Sequence, residues 1–273
     1  QGWAGASPLR SAPRTGFTRS GAPGRSSLRA RPPGRAARRY AFGMTGANDD
    51  DRARERRAMV REIEADARAT ASLTGRASFG ARVMAAMAKV PRHRFVPAAW
   101  SQSAYQNRPL PIDAGQTISQ PYIVALSTDL IDPEPDDVVL EVGTGSGYQA
   151  AVLAELVREV WSIEVVESLG TAAARLLREL GYDNVQVRIG DGHQGWPEHG
   201  PYDGIVVTAA AIDVPQALVD QLKPGGRMVI PIGPRFAEQE LVLVQKRADG
   251  RVAQRAILPV RFVPMVREES RGR

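Results

Sequence analysis

The amino-acid sequence predicts an α/β fold: a doubly wound, mostly parallel, Rossmann-like sheet of seven strands, with helices on both faces and an N-terminal helical segment. Three observations carry this expectation. Short apolar, β-branched runs alternate with amphipathic stretches through the second half of the chain. One of these runs enters a turn with glycine at every second position, and a helix opens from it. The last two runs are joined by Ala248-Asp249-Gly250, the kind of turn an antiparallel pair needs. Strand, helix, strand repetition places parallel strands in one sheet with helical crossovers.

The chain has 273 residues, 43% of them apolar, enough for a full core. Residues 1–43 hold nine arginines and no acid, so the formal charge of +6 leaves −3 on the other 230 residues. The sequence pI of about 10.0 therefore belongs to this tail and is no argument for a nucleic-acid partner. Residues 1–48 are rich in Arg, Pro, Gly, Ser and Ala without apolar periodicity, and disorder is the expectation. They read as a basic arm, as an Arg- and Ser-rich transit peptide, or as an extension outside the working protein. The third reading is preferred, because Met44-Thr45-Gly46-Ala47-Asn48 looks like an ordinary N-terminus. Residues 49–273 are expected to form one domain, with 49–130 as helices and a capping segment and 131–265 as the α/β core. No run of 18 apolar residues exists, so no transmembrane helix is expected. Cysteine is absent, which removes disulfides, thiolate chemistry and Cys-based zinc sites and agrees with a cytoplasmic setting.

A charged helix is predicted from Asp49, its acids favouring the N-terminus, to about Ala71. A second, Gly80 to Lys89, carries Val83, Met84 and Met87 at helical spacing. Pro91 and Pro97 halt helix formation. Tyr105 to Ile112 reads as extended and Gly115 to Pro121 as a turn, with Pro121 leading the helix Tyr122 to Leu130. Strands follow at Val138–Val142, Val160–Glu164, Val185–Ile189, Tyr202–Val207, Arg227–Ile232, Leu241–Lys246 and Ile257–Val263. Helices from near Ser146, from Ser168 to Leu180, and from Pro215 to Leu222 separate the earlier ones.

The glycine turn Gly143-Thr144-Gly145-Ser146-Gly147 admits positive φ and close approach of a ligand. It differs from the dinucleotide fingerprint, because Tyr148 stands where the third glycine belongs. Glu141 before the turn suits a ligand with a cationic group and repels a pyrophosphate. S-adenosylmethionine has an ammonium, a sulfonium and no phosphate. A glycine-rich turn with no ligand is the competing reading. Acids stand at the ends of three successive strands: Glu141, Glu164 and Asp191. A carboxylate at Glu164 can take both ribose hydroxyls, and Asp191 or its neighbour Gly192 can meet an adenine amino group.

With these residues in view, the chain resembles the protein-L-isoaspartate O-methyltransferase family. The likeness lies in Gly115 to Ala125, Glu141 to Tyr148, Gly190-Asp191-Gly192, Pro201-Tyr202-Asp203-Gly204 and Pro215 to Gly226. Val90-Pro91-Arg92 and Thr117-Ile118-Ser119-Gln120-Pro121 are its more specific parts. The resemblance implies methyl transfer from S-adenosylmethionine to the free carboxylate of isoaspartyl residues in damaged proteins, by a cytoplasmic monomer without nucleic-acid or membrane partners. It implies Ser119 as the active-site residue. It implies Gln116, Thr117, Ile118, Glu164, Asp191 and Gly192 as cofactor-facing residues, beside Glu141, Gly143, Thr144, Gly145, Ser146 and Gly147, which the glycine turn itself offers as cofactor-binding. Two alternatives stand beside it: a methyltransferase for another carboxylate or small molecule, and a non-catalytic cofactor-binding adaptor. Trp196 is weighed as an adenine stack or a loop anchor, and Thr208 as a substrate contact or a strand-end cap. His93, His193 and His199 lack a metal-ligand pattern. Val266 stands where the family often has a hydroxyl residue, so that contact is not carried over.

Overall fold

The structure, a computed structural model, describes residues 52–234 and 238–266. The expected tail, and Asp49 to Asp51 at the head of the first helix, lie outside the described residues. Two helices, α1 (Ala53–Ala69) and α2 (Ala71–Thr74), replace the single one expected, and α3 is Ala81–Lys89. Val90 to Ser103 carries two 3-10 turns, Arg92–Phe95 and Ala98–Ser103.

The stretch expected as extended pairs instead as a small hairpin. Strand β1 (Leu110–Pro111) lies antiparallel to β2 (Thr117–Ile118), inside what reads as a turn. Ala114 (φ 56°) and Gly115 (φ 69°) reverse the chain between them. Ala114 is a non-glycine residue in the left-handed region, held there by the closed hairpin. Helix α4 (Pro121–Leu130) follows, with proline at its first position as expected.

The main sheet has strands β3 (Val138–Val142), β4 (Glu159–Glu164), β5 (Val185–Ile189), β6 (Tyr202–Val207), β7 (Leu222–Ile232), β8 (Gln239–Lys246) and β9 (Val252–Val260). Their order is β5-β4-β3-β6-β7-β8-β9. The first five are parallel and the last two antiparallel. Helices α5 (Tyr148–Ala154), α6 (Glu167–Glu179) and α7 (Gln216–Asp220) supply crossovers. Strands β7 and β9 start five residues earlier than their apolar runs suggest. Strand β7 runs back through Lys223–Gly226, where Lys223 Nζ holds both Asp203 oxygens at 2.7 Å. Strand β9 opens at Val252, because edge residues Ala253 to Arg255 pair with β8 through the backbone and need no apolar face.

Alternation along β3 divides the core. Val138, Leu140 and Val142 face one cluster with Ile205, Met228 and Leu218. Val139 faces the other, built with Met59, Met87, Leu126 and Leu153 from the helices. Glu141 shares the parity of Val139, which decides its environment. No described helix is long and apolar enough to cross a membrane.

Candidate functional site

A pocket opens above the carboxyl ends of β3, β4 and β6, where the strand order changes direction around β3. Its floor is the glycine turn, from Gly143 to Ser146, with Tyr148 and Gln149 of α5. One wall is Gln116, Thr117, Ile118 and Ser119 from the hairpin. The opposite wall is Thr208, Ala209 and Val263 to Val266. Glu164 and Gly192 complete it from the ends of β4 and the turn after β5.

Four of the turn's five amides, all but that of Ser146, are engaged within the chain. Gly143 N and Thr144 N donate to Ile163 O at 2.8 and 3.2 Å, and Gly147 N donates to Thr144 O at 2.8 Å. Gly145 N donates to Glu164 Oε2 at 2.8 Å, while Glu164 Oε1 accepts from Val166 N at 2.8 Å. The turn is therefore no anion cradle, unlike a phosphate-binding loop. Glu164 is the one charged side chain among the described lining residues. An ionised carboxylate has about four acceptor positions, so two amides leave capacity for ribose hydroxyls. The chemistry of this lining fits a cationic, phosphate-free cofactor such as S-adenosylmethionine.

Three expected cofactor residues lie off the lining. Glu141 is fully buried on the α5 face of β3, beneath the turn, and presents no charge to a ligand. Burial pushes its carboxyl up to about 8; Ser162 opposes this and Glu164 adds to it. Ser162 Oγ donates to Glu141 Oε2, and Thr144 Oγ1 meets Ser162 Oγ at 2.6 Å. Burial thus favours the neutral form, and Glu141 braces the turn from below through Ser162 and Thr144, off the lining where its charge would meet a ligand. Gly147 (φ 89°) caps the start of α5, where a Cβ would press on Leu177 and Ala173 of α6, a packing reason for glycine at this position. Asp191 bonds locally: its Oδ1 accepts from His193 N at 2.9 Å and lies 2.8 Å from His193 Nδ1. Its neighbour Gly192 is the residue that reaches the pocket.

Trp196 packs against Trp161 and His199, with the Arg188 guanidinium 4.5 Å from its ring centre, so it is a loop anchor. Thr208 Oγ1 donates to Gly143 O at 2.5 Å, the strand-end cap weighed for it, and the residue also lines the pocket. Sequence reasoning missed Gln149, whose Nε2 donates to Thr128 Oγ1 at 2.8 Å. An amide side chain within the apolar run of α5 was the signal.

Ser119 is half-buried at the end of the hairpin. Its main chain is held by Arg92, and the start of the following helix by Asn107. Arg92 Nη2 donates to Ser119 O at 2.8 Å, and Asn107 Oδ1 accepts from Tyr122 N at 2.9 Å three residues on.

The sheet order and the glycine turn under a strand-end pocket define a Rossmann-like methyltransferase fold. A sequence model described as protein-L-isoaspartate(D-aspartate) O-methyltransferase (PCMT) matches residues 74–270. The chain belongs to that family. Protein-L-isoaspartate O-methyltransferase 2 of Syntrophobacter fumaroxidans is 60% identical over 225 residues, covering 82% of this chain and 91% of the relative. The protein of the same description from a Polaromonas species is 62% identical over 207 residues, covering 76% and 98%. A solved protein-L-isoaspartate O-methyltransferase superposes with a TM-score of 0.68 at 27% identity, over 78% of this chain and 66% of that one. A Plasmodium falciparum structure in complex with S-adenosyl-L-homocysteine shares the fold with a TM-score of 0.64 at 22% identity, over 77% of this chain and 98% of that one.

Proposed function

We propose that this chain methylates the free carboxylate of L-isoaspartyl residues in damaged proteins and peptides, with S-adenosylmethionine as donor. The observation that carries this reading is one pocket in which Gln116 to Ser119 closes over the glycine turn, with Glu164 as its single charged lining group. S-adenosylmethionine supplies an electrophilic methyl group on a sulfonium leaving group. Its ribose is assigned to Glu164, its adenine to the edge at Gly192, and its amino-acid end to the turn from Gly143 to Ser146.

The acceptor needs little activation. A carboxylate with a pKa near ~4 is ionised at neutral pH, so no general base is required. What the chain contributes is alignment and exclusion of water, which together can be worth roughly 7–11 kcal/mol. Ser119 is assigned to donate a hydrogen bond that orients one carboxylate oxygen toward the methyl group. It is not a nucleophile in this scheme. A monomeric, cytoplasmic enzyme belongs to the same proposal, to be checked by sedimentation and by cell fractionation.

Methyl transfer from radiolabelled cofactor to an isoaspartyl peptide and to its aspartyl counterpart is the test. Labelling of the isoaspartyl form alone is expected. Equal rates on both would sink the repair reading and favour another carboxylate substrate; cofactor binding without any transfer would favour an adaptor.

A further inference from the structure

The segment Val90-Pro91-Arg92 is absorbed by neither the cofactor nor the serine assignment. Arg92 is nonetheless among the largest fully buried side chains, at 0% exposure. A buried guanidinium is costly unless its charge is met. Here it is met by main-chain oxygens and an aromatic face, with no carboxylate as a hydrogen-bond partner. Nε donates to Ala104 O at 2.9 Å, and Nη2 to Ser119 O at 2.8 Å. Its carbon centre lies 4.7 Å from the centre of the Tyr148 ring. Desolvation lowers its pKa to about 10, so it stays cationic at neutral pH. The Tyr148 hydroxyl opposes that desolvation through its charge and a side-chain hydrogen bond, so the ring and its oxygen both face the guanidinium.

These contacts join two parts of the pocket that are far apart in sequence. Ser119 belongs to the hairpin wall, and Tyr148 opens α5 directly after the glycine turn. A planar fork fixes two carbonyls and a ring in one geometry, which a lysine ammonium does not reproduce.

We propose that Arg92 is a positioning residue for methyl transfer: it clamps the Ser119 main chain to the floor of the cofactor site and so sets the alignment of acceptor and donor. The proposal rests on the reading of Ser119 and the pocket given above.

The test compares the full chain with Arg92→Lys, measuring kcat and KM for an isoaspartyl peptide, S-adenosylhomocysteine affinity by calorimetry, and Tm. Activity of the unaltered chain in the same assay reports on the functional reading separately. With that activity present, Arg92→Lys is expected to lower kcat ~10- to 100-fold while changing cofactor affinity less than about threefold. Unchanged kcat overturns the proposal. So does a parallel fall of kcat, cofactor affinity and Tm, which marks a structural role alone. Arg92→Gln, which keeps donors without charge, is the second variant should Arg92→Lys not fold, and the same split is expected. Failure of both to fold with cofactor present also overturns it.

Discussion

Glu141→Gln separates a residue that supports the turn from one that touches the ligand. In the folded chain the Glu141 carboxyl is held at about 8 by burial, against an ordinary 4.5. The group is raised, so the sign is as follows. Below pH 4.5 it is protonated in both folded and unfolded chains. Between 4.5 and 8 the folded state alone keeps the proton, and stability falls as pH rises. Above 8 both states are ionised and the loss is complete. At 1.36 kcal/mol per pH unit this gap amounts to ~5 kcal/mol. Glutamine keeps an acceptor for Ser162 Oγ and cannot ionise. Urea unfolding of both proteins at pH 5 and pH 8 isolates Glu141 from every other titrating group. Relative to Glu141→Gln, the parent chain is expected to lose about 3–4 kcal/mol across that range. S-adenosylhomocysteine affinity at pH 7 should agree within about threefold, since a neutral side chain off the lining donates nothing to the ligand. A stability difference that is independent of pH would refute the account of a neutral, buried Glu141. A large loss of affinity would return it to the ligand.

Three further outcomes follow from the site. Glu164→Ala should weaken cofactor binding ~10- to 100-fold in calorimetry, because it removes a charged acceptor and frees the Gly145 amide; unchanged binding would reject the ribose assignment. Ser119→Ala should lower turnover ~10- to 100-fold without abolishing it, as expected for one hydrogen bond to a charged group; full activity would remove the hydroxyl from the mechanism. Gly143→Ala should cost roughly 2–4 kcal/mol, since φ is +98° and the new methyl would collide with Thr208 Oγ1. Adding Thr208→Ala should recover part of that loss in thermal unfolding, and no recovery would place the whole cost in the backbone.

The parallel strands were legible because burial on both faces leaves continuous apolar runs, as in Val138–Val142 and Tyr202–Val207. Edge strand β9 was legible only in its apolar part, since Ala253-Gln254-Arg255 is held by ladder hydrogen bonds. The hairpin of β1 and β2 escaped because two-residue strands leave no periodicity. In the site, residues read from strand ends and turns, such as Glu164 and Gly192, reach the pocket. Glu141 misled because sequence shows that an acid precedes the turn but not which sheet face it takes; the parity shared with Val139 decides that. Arg92 was visible as part of a motif. Its partners Ala104, Ser119 and Tyr148 come from three separate segments that meet only in the folded chain.

The two walls of the pocket have a consequence for the order of events during synthesis. One wall is made near residue 116, early in the described chain, and the other from Val263 to Val266, after the last strand. The late wall is fastened by a bridge between Pro264 and Ala210, with Met265 N donating to Ala210 O at 2.7 Å. A ribosome-bound chain that has released the glycine turn and the hairpin therefore still lacks a closed chamber. The Val263 to Val266 wall is therefore the last part of the chamber to be made, and any cofactor contact to it stabilises only states in which it has docked.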